Sequence, residues 1–224
     1  MALNYKKLAN LAFEALTSAH NPKKAKIRGY FFKKEYQFFR KHIRNKRVLV
    51  AGSGLGHDSF EIAKYNKKVV GVNILKKLLD ISKKRVKEMG IKNVKFEYGN
   101  IIKLKYKNKY FDVAVLNMGT IDNFDDKEKI IKELLRVSNT VYLDFYPPNK
   151  MILERRKNMY QEEGFKDLKI RDDKIISKTG FESGSISKNE MNLILKSINA
   201  KAKYYNFCDI SIMAEIKENK KSKS

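Results

Sequence analysis

The sequence predicts an α/β fold, a seven-stranded and mostly parallel sheet covered by helices on both faces and closed by an antiparallel terminal hairpin. Three observations carry that prediction. Apolar strand-like and amphipathic helix-like segments alternate between residues 47 and 146. A glycine-rich turn, Gly52-Ser-Gly54-Leu-Gly56, follows the first of these strands directly. Two final strand-like segments, about 201–208 and 210–217, lie so close in the chain that an antiparallel pair is implied.

Residues 5–18 read as a short helix with Leu8, Leu11, Ala12 and Ala15 on its apolar face, broken by His20-Asn21-Pro22. A second helix is expected at about 30–44, where Phe32, Tyr36, Phe39 and Ile43 form one stripe. Strands are then expected at 47–51, 68–73, 94–98, 111–117 and 140–146, with helices at 57–65, 75–89 and 125–138 between them. A helix near 150–163 precedes a hairpin around Leu168–Ile176 with a polar turn. Residues 188–199 suit another helix, because Ser187 followed by Glu190 has the spacing of a capping box. The whole is read as one domain: a helical cap at 1–46, a main body at 47–217, and a disordered basic tail at 218–224.

With 224 residues, 42% of them hydrophobic and 33% charged, the chain has the composition of a globular domain with a sizeable core. No run approaches the roughly 18 apolar residues that span a bilayer. The first residues, Met-Ala-Leu-Asn-Tyr-Lys-Lys, lack a signal peptide's apolar stretch, so a cytoplasmic location is expected. Cys208 is alone, which excludes an internal disulfide and a cysteine-based zinc site. His20, His42 and His57 lie far apart in the chain, and no metal is expected.

The formal net charge is +24. Such a charge invites a nucleic-acid partner, although lysine-rich surfaces also arise from genome composition or life at high temperature. The charge is polarised along the chain. Residues 23–47 hold eleven Lys or Arg against the single acid Glu35, while Asp112, Asp122, Asp125, Asp126, Glu128 and Glu133 gather later. Tyr30, Phe31, Phe32, Tyr36, Phe38 and Phe39 interleave with the basic residues. Two readings stay open: a segment that grips phosphates and stacks bases, or a helix that buries its aromatics and leaves its lysines in water.

A strand running into glycines at every second position, then a helix, can cradle an adenosine-containing ligand, because glycine reaches backbone angles closed to other residues and has no Cβ to block approach. A dinucleotide loop wants G-x-G-x-x-G; here the third glycine falls one residue early and His57 takes its place. The reading therefore leans away from NAD.

Later segments carry a resemblance. Val70-Gly-Val-Asn73-Ile74, Phe96-Glu-Tyr-Gly99-Asn100-Ile101, Phe111-Asp-Val-Ala-Val-Leu-Asn117-Met118-Gly119 and Arg136-Val-Ser before Val141-Tyr-Leu-Asp-Phe-Tyr146 follow the glycine turn in order. With that turn and the closing hairpin they resemble the class I S-adenosylmethionine-dependent methyltransferases, well over 47–146 and loosely over 150–217. The resemblance implies a Rossmann-like three-layer sandwich, S-adenosyl-L-methionine as cofactor, and methyl transfer. It places Gly52, Ser53, Gly54 and Gly56 against the cofactor's methionine part, Asn73 and Ile74 at its ribose, Asn100 and Ile101 at its adenine, and Asn117 and Met118 beneath the transferring methyl group.

This chain departs from the family where three acids are customary, having Ala51, Asn73 and Asn100 instead. A neutral hydrogen bond contributes roughly 0.5–1.5 kcal/mol and a charged one about 1.5–3, so each replacement weakens binding by about 1 kcal/mol without abolishing it. Asp58, in the first turn after the loop, either binds the cofactor's ammonium or simply complements a helix N-terminus. Methyl transfer needs an aligned acceptor more than a catalytic dyad, and no catalytic residue is assigned. Tyr146 and Tyr160 are candidates for the acceptor wall. Pro147-Pro148 follow the fifth strand rather than the fourth, which argues against the base-amine methyltransferases that place such a pair after the fourth. Residues 164–187 fall where small-molecule members of the family insert acceptor-covering strands, so a small-molecule acceptor is expected first. The alternatives are RNA, held by residues 23–47, and a non-catalytic member of the fold that binds nucleic acid or a partner.

Overall fold

The structure is a computed structural model that describes residues 13, 14, 16–21 and 23–219; residues 5–12 and Ala15 of the first expected helix and residues 220–224 of the expected tail lie outside them. Helix α1 is Lys26–His42. Then β1 (Arg47–Ala51), α2 (His57–Ala63), β2 (Lys68–Asn73), α3 (Lys76–Glu88), β3 (Val94–Tyr98), β4 (Phe111–Leu116), α4 (Lys127–Val137) and β5 (Ser138–Phe145) alternate, with a 3-10 turn at Thr120–Asn123 after β4. Helix α5 (Lys150–Glu162), the short strands β6 (Lys169–Arg171), β7 (Lys174–Ile176) and β8 (Glu182–Ser183), helix α6 (Lys188–Ser197) and the strands β9 (Ala200–Phe207) and β10 (Ser211–Glu218) follow.

The main sheet has the order β3-β2-β1-β4-β5-β10-β9. Strands β1 to β5 pair in parallel, and β10 pairs antiparallel with both β5 and β9. Side chains alternate across a strand, and two cores result. Leu49, Ala51, Val70 and Leu116 pack on one face with Ile130 and Leu134 of α4 and Met191 and Leu195 of α6. Val48, Val50, Val69 and Val115 pack on the other with Phe31 and Phe39 of α1 and Phe60 and Ile62 of α2. This is the expected three-layer sandwich. The hairpin expected near residue 170 gains β8 to become a separate three-stranded antiparallel sheet, β6-β7-β8.

Helix α1 begins four residues before its expected start. The reason is distant: the Ile27 N–H donates to Glu162 Oε2 at 2.8 Å, and Arg28, buried, pairs with Glu163. The opening turn is thus polar in sequence but secured by acids 135 residues away. Ser187 caps α6 by accepting from the Glu190 N–H at 3.0 Å. Strand β10 extends through Glu218, one residue into the segment expected as tail. Among the described residues no helix is long and apolar enough to cross a membrane.

Candidate functional site

The carboxyl ends of β1, β2 and β4 bring most of the expected residues together. The turn after β1 is anchored by the Ser53 N–H donating to Val72 O (3.0 Å) and the Gly56 N–H donating to Ser53 O (2.8 Å). Two glycines are sterically required. Gly56 has φ +85° and a Cβ there would lie 2.6 Å from the Phe96 ring; Gly54 has φ +50° and its Cβ would meet Leu16 Cδ1 at 2.9 Å. Beside Gly52 a Cβ would meet Thr120 and Leu116 at 3.7 and 3.8 Å, an ordinary packing contact. The Ser53 hydroxyl is buried without a partner.

The two asparagines standing in for the family's acids shape their own loops. Asn73, buried, accepts from the Leu75 N–H at 2.8 Å, with Ile74 half-buried beside it. Asn100, exposed, accepts from the Ile102 N–H at 3.0 Å, and Ile101 is buried. After β4, Asn117 is buried and its amide donates to Asp58 Oδ2 at 3.1 Å. Met118 (φ +61°) and Gly119 (φ +60°) then adopt left-handed conformations in succession. A methionine there is strained, and such strain concentrates at functional sites.

Sequence reasoning missed the acids behind this loop. Glu35 of α1 and Asp144 of β5 are both fully buried, and Asp144 accepts from the Gly119 N–H at 2.9 Å. Burial pushes Asp144 up to about 7. Burial also raises Asp58, partly offset by His20 and the Asn117 amide, and it raises Glu35 well above the carboxylate range, with Asp58 and Asp144 adding to the effect. The signal for Glu35 was present: residues 28, 31, 32, 35 and 39 share one helical stripe and all are buried.

Two of the histidines that lie far apart in the chain meet in space. His20 and His57, 37 positions apart by number, stack with ring centroids 3.6 Å apart. Arg85 Nη1 donates to His57 Nε2 at 2.9 Å. Burial, then His20 and Arg85, lowers His57 to about 3, so it is neutral at pH 7. Among the described residues no three His, Cys, Asp or Glu side chains are grouped to hold a metal ion.

Beyond β5, Tyr146 and Tyr160 are buried in a polar network rather than exposed on a wall. Arg28 donates to Glu163 Oε1 (2.8 Å) and to the Tyr146 hydroxyl (3.2 Å). The Arg156 guanidinium lies 4.0 Å from the centre of the Tyr146 ring and donates to Ser183 Oγ (2.7 Å), Ser185 Oγ (2.8 Å) and Gly184 O (2.6 Å). Tyr160 shares a 2.7 Å hydrogen bond with Ser183. A Cβ on Gly184 would lie 2.4 Å from Asp122 O, so β8 sits directly on the 3-10 turn.

A family model described as "Methyltransferase domain" matches residues 42–146, the segment that holds the glycine turn and all five parallel strands. Over that segment the chain is similar to a methyltransferase domain. The chain is 27% identical over 116 residues to the uncharacterized methyltransferase YcgJ of Bacillus subtilis, covering 50% of this chain and 46% of that protein. It is 35% identical over 90 residues to a demethylmenaquinone methyltransferase of Alkalihalophilus pseudofirmus, covering 40% and 34%. The chain thus spans less than half the length of these two relatives. In fold it resembles the crystal structure of an S-adenosylmethionine-dependent methyltransferase from Clostridium acetobutylicum, with TM-score 0.65, 13% identity, and coverage of 96% of this chain and 99% of that one.

Proposed function

We propose that this chain binds S-adenosyl-L-methionine at the carboxyl ends of β1 to β4 and transfers its methyl group to a small-molecule acceptor. The chemistry at the strand ends supports the cofactor: a glycine turn with left-handed angles at Gly52, Gly54 and Gly56, a buried Ser53 hydroxyl without a partner, and the buried carboxyl group of Asp58. Gly52, Ser53, Gly54, Gly56, Asp58, Asn117 and Met118 would hold the methionine portion, Asn73 and Ile74 the ribose, and Asn100 and Ile101 the adenine. When bound, the cofactor supplies an electrophilic methyl group on a positively charged sulfur. The chain's share of the work is to orient the acceptor and keep water away.

The observation that carries the small acceptor is the roof over the far end of the cleft. The sheet β6-β7-β8 is joined to the ends of β4 and β5 by the Ile186 N–H donating to Tyr146 O and the Gly184 N–H donating to Asn123 Oδ1, both at 2.9 Å. Such a cover suits a metabolite better than a polymer. The aromatics of the basic segment point the same way: Phe31, Phe32 and Phe39 are buried in the domain rather than offered for stacking on bases. The catalytic reading also outweighs the non-catalytic one, since each asparagine keeps an oxygen able to accept.

Calorimetry with S-adenosylmethionine and S-adenosylhomocysteine tests the cofactor assignment; absence of binding at millimolar ligand would overturn it. Incubation with methyl-labelled S-adenosylmethionine and either a metabolite extract or total RNA tests the acceptor, and label transferred to RNA alone would replace the small-molecule reading. Gly54→Val is expected to abolish cofactor binding, since it adds a branched side chain at φ +50° against Leu16; retained affinity would refute the assigned loop. Asn73→Asp is expected to tighten S-adenosylhomocysteine binding by about 1 kcal/mol, roughly fivefold, by making a neutral acceptor anionic. Weaker binding would show that residue 73 does not serve the ribose.

A further inference from the structure

Glu35 is the one acid among the residues 23–47, yet its side chain is fully buried and neither carboxyl oxygen has a hydrogen-bond partner. Buried carboxyl groups are almost always satisfied from within. Arg28, the cation of its own helix that acts on Glu35, is committed elsewhere, being paired with Glu163 at 2.8 Å. The Asn117 amide donates to Asp58 Oδ2 at 3.1 Å and also faces Glu35. Asp58 in turn keeps its other oxygen, Oδ1, buried and unpartnered. Two carboxyl groups, from α1 and from the start of α2, therefore converge on the loop that follows β4, where Asn117 interacts with both.

We infer that Glu35 and Asp58 together receive the primary ammonium group of the cofactor's methionine end, with Glu35 as the counter-ion contributed by the cap helix. The inference rests on the cofactor reading above. It also accounts for the departures at Ala51, Asn73 and Asn100: the negative charge customary at the strand ends is supplied in this chain from above and beside the glycine turn. An ammonium has three donors, which these two carboxyl groups would share.

The arrangement is proton-linked. The groups that face Glu35 are Asp58 from α2, Asp144 from β5, Arg28 from its own helix and Cys208 from the β9–β10 turn. Tyr36 lies beside Asp58. The two acids outweigh the one committed guanidinium, so the proton affinity of Glu35 is raised, first by burial. Arrival of an ammonium favours the carboxylate, and the displaced proton leaves to solvent.

The test is calorimetry of the wild type and Glu35→Gln with S-adenosylhomocysteine and with 5′-methylthioadenosine, which lacks the amino-acid end. Each titration is run near pH 7 in two buffers of different ionisation enthalpy. The wild type is expected to release about one proton with S-adenosylhomocysteine and none with methylthioadenosine. Glu35→Gln is expected to bind S-adenosylhomocysteine at least about tenfold more weakly, without proton release, and to bind methylthioadenosine as the wild type does. Unchanged S-adenosylhomocysteine affinity, or an equal loss for both ligands, overturns the inference; the second result marks Glu35 as structural. A wild type that binds neither ligand overturns the cofactor reading, and this inference with it.

Discussion

Replacing Glu163 with alanine will destabilise the domain by about 3–5 kcal/mol, the usual cost of removing one partner from a buried ion pair. Both side chains are almost wholly inaccessible, at 3% for Arg28 and 2% for Glu163, and their N–O distance is 2.8 Å. Without the carboxylate of Glu163, Arg28 keeps its charge in a buried site against the hydroxyl of Tyr146 and the rings of Phe31, Phe32 and Tyr160, with the buried Glu35 and Asp144 as acids nearby. Those rings attract a cation but do not replace a carboxylate. Urea unfolding gives the number directly. The double change Arg28→Met with Glu163→Leu is the informative control, because it withdraws both charges and is expected to fall within about 1 kcal/mol of the wild type. A single-variant loss below about 1 kcal/mol would show that the pair is not held as described.

The second large effect is expected at Gly119. Its φ is +60°, and a Cβ would lie 2.1 Å from Tyr146 Cε2 and 2.4 Å from Cδ2. The ring cannot swing aside, because Arg28 binds its hydroxyl, Arg156 lies against its face and Asp122 Oδ2 accepts from its backbone N–H at 2.9 Å. Overpacking costs about 1–3 kcal/mol and a left-handed alanine about 1–2, so Gly119→Ala should lose roughly 2–5 kcal/mol. At about 2–4 °C per kcal/mol for a chain of this size, Tm should fall by roughly 4–20 °C. Gly164→Ala separates the two causes. That glycine has φ +95° but open space where its Cβ would go, so only about 1–2 kcal/mol of strain is expected. Equal losses at the two positions would show that Tyr146 yields.

The parallel half of the fold was legible because its signals are local. Runs such as Val48–Ala51 and Val69–Val72 are apolar on both faces, as strands covered on both sides must be, and glycine turns and short helices separate them. Right-handed crossovers leave few ways to order such units. The glycine turn and the asparagines at the strand ends were readable for the same reason. The acids that matter most to the site were not. Glu35 and Arg28 resemble the solvent face of a basic helix, and only their spacing with Phe31, Phe32 and Phe39 places them inward. Asp144 interrupts an apolar strand, but its partner, the Gly119 N–H, is 25 residues away. The helix start at Lys26 depends on Glu162, and the His20–His57 stack joins two segments with no local reason to meet. Contacts between distant segments decided Asp144, the helix start and the histidine stack, about which periodicity carries no information; for Glu35 and Arg28 the helical period did carry the signal.

The position of β10 also bears on how this protein comes off the ribosome. The strand made last among those described lies inside the sheet, between β5 and β9. Until it emerges, β5 presents an unpaired edge carrying Val141, Leu143 and Phe145, all of which end fully buried. At ~5–20 residues per second, several seconds separate the synthesis of β5 from that of β10. Throughout that interval the nascent chain displays a long apolar strand edge, the feature most prone to pair with another chain. The half-made protein therefore depends on chaperones, or on slow accumulation, in a way that the finished sheet does not.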